Sequence, residues 1–142
     1  MSEPHCGSCH HLAGYPVVAQ FTIPGEPVSK ARARFSSRSA RAYTPDKTRA
    51  AEEAVGWRFR EAARGHALDA NATYAVVARF FCATGQRRDV DNMLKLVLDG
   101  LNNVAWPDDS QVVEASARKE RVPAGEARTE VTVHLIKEAD HA

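Results

Sequence analysis

Six stretches of this chain carry a regular apolar pattern. Val17 to Ile23 is short, rich in β-branched side chains and stopped by Pro24-Gly25, which predicts a strand. Thr44-Pro45 is a helix start, with Thr44 as cap and Pro45 at the first helical position. Ala51, Val55, Phe59 and Ala62 then recur at helical spacing, and Gly65 marks the stop. Tyr74 to Cys82 is apolar on both faces, as a central strand is. Asn92 to Ala105 reads as a second helix whose buried stripe is Leu94, Leu98, Leu101 and Val104/Ala105, ended by Trp106-Pro107. Val112 to Val122 and Thr129 to Ile136 are two more strands, and Pro123-Ala124-Gly125-Glu126 between them signals a hairpin. The order strand, helix, strand, helix, hairpin predicts an α/β (α+β) architecture, a small mixed sheet of about four strands with two main helices.

Composition bounds this picture. At 142 residues the chain is expected to form one domain with a core that needs no disulfide staples. Residues 1–16 read as a flexible Cys/His-containing appendage, 17–137 as the domain and 138–142 as a polar tail. No run is long enough to span a membrane. The first residues lack the basic and apolar regions of a secretion signal, so a cytoplasmic, reducing setting with no membrane partner is expected. Cys6, Cys9 and Cys82 make no disulfide framework there, and Cys82 is expected to be a small buried hydrophobe. Cys6, Cys9 and His10 have metal-ligand spacing and are candidates for Zn2+, against the alternative of a metal-free tail.

Charge changes the picture more. The net +1 conceals a stretch from Lys30 to Arg49 with Lys30, Arg32, Arg34, Arg38, Arg41, Lys47 and Arg49 against Asp46 alone, a net +6. The rest of the chain is therefore acidic. A basic block beside an acidic one suits a protein that holds a polyanion in one part and a cation in another; alternatively the block is a solvated loop.

The acids gather around the second helix. Asp89 and Asp91 are two apart where a strand gives way to that helix, so both carboxylates are expected to point into one space. Asp91, Lys95 and Asp99 are each four apart and share one helix face. Asp108-Asp109 lie in the turn after the helix, and a returning chain could bring them back beside Asp89. Gathered carboxylates repel one another unless a cation sits among them. Hard oxygen ligands in this number suit Mg2+ or Mn2+ rather than zinc. Each residue also has a plainer reading: Asp91 or Asn92 as a helix cap, Asp99 paired with Lys95, and Asp108-Asp109 as turn residues.

The run Arg87-Arg88-Asp89-Val90-Asp91-Asn92-Met93-Leu94-Lys95, then Asp99-Gly100-Leu101-Asn102, then Asp108-Asp109-Ser110-Gln111-Val112-Val113, resembles the RusA family of Holliday-junction resolvases. Upstream, Phe21 to Arg34 resembles the family's opening strand and its P-x-x-K-x-R-x-R segment, and Tyr43-Thr44-Pro45 resembles the entry to its first helix. The likeness covers about residues 18 to 136. It implies a Mg2+-dependent endonuclease, acting as a homodimer, that nicks a four-way DNA junction symmetrically in recombination and repair. It implies that Asp89, Asp91 and Asp109 bind metal and that Lys95 is catalytic, with Asp99 and Asp108 as additional acids. It also implies a phage or prophage setting in a bacterial cytoplasm. Lys30, Arg32, Arg34, Arg38, Arg41, Arg87, Arg88 and Lys119 are then the expected DNA-binding residues. Two other functions compete. A junction-binding protein without catalysis would show the loss of a metal aspartate or the lysine. A metal-dependent nucleotidyl or glycosyl transferase would have a Gly-rich phosphate loop, which this chain lacks.

Overall fold

The structure is a computed structural model and describes residues 11–30, 34–35, 42–43 and 46–138. A four-stranded mixed sheet carries two helices, the α+β arrangement that the apolar pattern predicts. Strand β1 is Val17–Pro24. Within the basic segment, β2 (Arg34–Phe35) and β3 (Ala42–Tyr43) pair as a two-rung antiparallel ladder, so part of the stretch read as a loop is ordered backbone. Helix α1 (Asp46–Ala62) follows, and Gly65, at φ 82°, takes the left-handed turn that only glycine adopts without strain. Strand β4 (Thr73–Cys82), helix α2 (Val90–Leu101), β5 (Val112–Arg121) and β6 (Arg128–Lys137) complete the chain.

The strands lie in the order β1-β6-β4-β5. Strand β4 runs parallel to β5 and antiparallel to β6, and β6 runs antiparallel to β1. The expected β5–β6 hairpin therefore does not form, because β4 lies between the two. Crossing one intervening strand means a step of about 10 Å, which the loop 122–127 spans easily; turn residues alone do not reveal that gap. Central β4 is buried on both faces, as its sequence predicts.

The helices cover one face of the sheet. Tyr74, Val76, Ala78, Phe80 and Cys82 of β4 point to them and join Val131 and Val133 of β6 in the core, so Cys82 is the buried small hydrophobe expected. Trp57, on the outer side of α1, is 63% exposed. Helix α2 buries Met93, Leu96, Val97, Gly100 and Leu101, with Leu94 and Leu98 only partly covered. The stripe is thus rotated from the predicted one because α2 packs on the sheet and, alongside, against α1, and so buries two flanks. It also stops at Leu101, not Ala105: Asn103 turns left-handed at φ 65°, a conformation asparagine tolerates. Gly56 and Gly100 face each other where α1 crosses α2; a Cβ on Gly100 would lie 2.8 Å from the Glu52 carbonyl oxygen. On the opposite sheet face, His11 bonds Glu114 at 2.8 Å, the Tyr15 carbonyl accepts from His134 at 3.2 Å, and Leu12 is buried. The end of the segment read as an appendage is therefore packed. Cys6, Cys9 and His10 lie outside the described residues.

Candidate active site

Strand β4 ends at Cys82, so Asp89 and Asp91 are placed by α2 and not by a strand. Asp89 occupies the N-cap position, with extended backbone at φ −84° and ψ 134°, yet its carboxylate makes no capping hydrogen bond. Asp91 sits in the first helical turn and Lys95 one turn later; all three are exposed. None of the three side chains forms a hydrogen bond or ion pair among the described residues, although the Asp89 carbonyl accepts from the Met93 amide. The positive end of the helix dipole favours negative charge at this point. Two carboxylates with free lone pairs, near a free ammonium, are therefore presented to solvent.

The loop that delivers Asp89 is fastened from beneath. Arg88 is 7% exposed and donates to the Pro27 carbonyl at 2.8 Å and to Thr84 Oγ1 at 2.9 Å, and it pairs with Glu26 at 2.9 Å. Glu26 Oε1 also accepts the amide N–H groups of Ala83 and Thr84. Burial opposes ionisation of Glu26, but Arg88 and these two amides outweigh it and hold its pKa below the usual range. Lys119 on β5 donates to the Arg88 carbonyl at 2.9 Å. Expected as a phosphate contact, Arg88 is instead buried and positions the loop, its guanidinium turned to three protein partners and away from solvent; Lys119, also expected on DNA, stays exposed while fastening the loop. Arg87 remains exposed.

Lys30 is corrected likewise. Its ammonium donates to Glu52 at 3.0 Å and to Asp99, and its amide N–H donates to the Asn92 carbonyl. Burial acts against the charge, and the bonds to Asp99 and Glu52 more than offset it, so its pKa is raised. Asp99 thus pairs with Lys30, not with Lys95 as its plainer reading had it. Arg32, Arg38 and Arg41 lie outside the described residues, and Arg34 is described only by its backbone.

The other acids lie past the carboxyl end of α2. Asp108 caps the 3-10 turn Asp109–Gln111 in a capping box with Gln111, and bonds to the Ser110 hydroxyl and amide hold its pKa low. The turn is anchored by fully buried Trp106, whose indole N–H donates to Asp109 Oδ1 at 3.4 Å. Partial burial pushes the Asp109 carboxyl up; the indole bond opposes this, and repulsion from Asp99 and Asp108 adds to it. Because β5 is parallel to β4, it starts with Val112 beside Tyr74, at the end of the sheet away from Asp89. Twelve residues of helical rise put the two ends of α2 about 18 Å apart. The return does not bring Asp109 to Asp89 within one chain. Among the described residues no three His, Cys, Asp or Glu side chains lie close enough together to hold a metal. Sequence reasoning missed the fixing role of Glu26, because a lone glutamate in a Pro-Gly turn carries no pattern.

A family model described as endodeoxyribonuclease RusA matches residues 24–134. No curated protein matches. Solved structures that match include a chain in the crystal structure of a HypE-HypF complex, at 10% identity and TM-score 0.35, covering 84% of this chain and 32% of that one. The chain thus spans about a third of the length of that solved chain. No helix is long and apolar enough to cross a membrane among the described residues.

Proposed function

Since the chain belongs to the RusA endodeoxyribonuclease family, whose model matches most of its length, we propose that it is a Mg2+-dependent endonuclease that resolves four-way DNA junctions by paired symmetric nicks. The observation that carries this reading is the pair of exposed carboxylates, Asp89 and Asp91, free of protein partners one turn from free Lys95. Hard anionic oxygens without histidine or cysteine suit Mg2+, or Mn2+ in its place. Asp89 and Asp91, their backbone fixed by Arg88 and Lys119, would hold the cation, which would supply charge neutralisation at the phosphate and activation of water for in-line attack. Lys95 donates to a non-bridging phosphate oxygen as its charge grows. Arg87 and the basic segment hold flanking phosphates, which gives affinity without sequence reading.

Asp109 enters through a second copy of the chain. Strand β5 is at the sheet edge, its outer side unpaired among the described residues. On its helix side, opposite core-facing Val76, Ala78, Phe80 and Cys82, it carries Ala115, Ala117, Lys119 and Arg121, most of them exposed. Its Asp109 end and its Lys119 end are the two ends of the site. Antiparallel pairing of β5 with its own copy about a two-fold axis sets Asp109 of one subunit against Asp89 and Asp91 of the other. The homodimer then holds two sites for two equivalent strands of the junction. The family resemblance also points to a bacterial cytoplasm and a phage or prophage gene.

A synthetic immobile junction tests the reading. With Mg2+, paired nicks at symmetric positions are expected on two of its four strands, and none with chelator. Asp91→Asn should abolish nicking while leaving junction affinity equal or higher, since a charge near phosphate is lost. Parental cleavage by that variant would refute the assignment. The non-catalytic alternative is disfavoured because Asp89, Asp91, Lys95 and Asp109 are all present.

A further inference from the structure

Trp57 is the largest apolar side chain left in solvent, at 63% exposure, whereas Trp106 is fully buried. It stands beside a depression between α1 and α2 that Arg49, Glu53 and Arg60 also border. The floor is shallow because two glycines form it: Gly56 and Gly100 bring the helices together, and Val104 touches Gly56. Arg49 lies eight residues before Trp57 and Arg60 three after, so all three share one stripe of α1. Glu52 and Asp99 also face the depression, but Lys30 binds both. With Lys30 counted, three cations stand against three acids around the depression; Arg49, Arg60 and Glu53 make no ion pair among the described residues, and exposed Arg58 and Arg64 against Glu61 tip the surrounding surface positive.

We propose that Trp57 is a stacking platform for an unpaired nucleobase of the branched DNA, with Arg49 and Arg60 on the adjoining phosphates. An indole face beside guanidinium groups is the combination that holds single-stranded nucleic acid without reading its sequence. The close helix crossing at Gly56 and Gly100 closes the floor of the depression, so a flat ring would lie on the outer face of the indole. Asp99 borders the depression and its charge is felt by Asp109, so the platform lies beside the half of the site that Asp109 contributes. A four-way junction opened at its centre has unstacked bases to offer. The inference rests on the DNA substrate of the preceding reading, not on cleavage.

The chain has two tryptophans, so fluorescence separates them. Full-length Asp91→Asn protein is titrated with a short oligothymidylate and with an immobile junction. Quenching of the solvent-exposed emission, and protection of Trp57 from acrylamide, are expected with both. In the Asp91→Asn background, Trp57→Ala should bind the junction about tenfold more weakly, with Trp57→Phe between the two. Melting temperature and the buried Trp106 emission should be unchanged in both variants. Junction binding with no change at Trp57 overturns the proposal. So does a Trp57→Ala protein that turns monomeric in light scattering at parental affinity per dimer, which would make Trp57 a subunit contact. Failure of the parental protein to cut junctions, with Trp57 still quenched, would sink the nuclease reading and leave the platform standing.

Discussion

Lys30 opens the basic segment, yet its ammonium is turned inward to Glu52 and Asp99. Lys30→Met leaves two carboxylates facing each other without their cation and is expected to lower stability by about 1 kcal/mol at neutral pH. The folded pKa of Lys30 is raised above its ordinary 10.5. Its contribution is therefore complete below that value and lost as pH rises through the folded pKa. Urea midpoints of the two proteins should differ at pH 7 and converge as the medium becomes strongly alkaline. Arg88→Ala removes a buried guanidinium from Glu26, the Pro27 carbonyl and Thr84, and should cost about 2 kcal/mol and most of the nicking rate. Denaturation together with the junction assay checks both. The shared helix face of Asp91, Lys95 and Asp99 was readable because helix geometry is local; the placing of Asp89 and Asp91 by strand alternation was not, because β4 stops at Cys82. Nor were the pairings of Lys30 with Asp99 and of Arg88 with Glu26, since they join residues 69 and 62 positions apart in the chain.

Elements were legible wherever period and length agreed. Strands β1, β4, β5 and β6 and both helices stand where apolar spacing puts them. Pairing was not, because a strand's pattern says which face is buried and not which neighbour it meets. The missed β5–β6 separation is that ambiguity, and the rotated stripe of α2 comes from a helix flanked on two sides. The close crossing at Gly100 escaped notice for want of any side chain to follow. Gly100→Ala drives a Cβ to 2.8 Å from both the Glu52 carbonyl oxygen and the Val55 Cβ. It should destabilise the fold by about 2 kcal/mol despite the better helix propensity of alanine, as a lowered thermal midpoint would show.

For the whole molecule, the decisive matter is that Asp89 and Asp109 lie at opposite ends of one βαβ unit. A site shared between subunits makes a prediction that a site within one chain does not. Asp91→Asn and Asp109→Asn homodimers should each be inactive. Co-refolded, they give heterodimers in which one site carries both lesions and the other carries none. Nicking of one junction strand should return without the paired second cut; no recovery would place all ligands in one chain. Another consequence concerns synthesis. Strand β6 fills the middle of the sheet, bonded on one side to β1 and on the other to β4. While the nascent chain emerges from the ribosome, β1 waits with no partner until residues near Lys137 have cleared the exit tunnel. A half-made nuclease therefore has no completed sheet on which to mount its cutting apparatus.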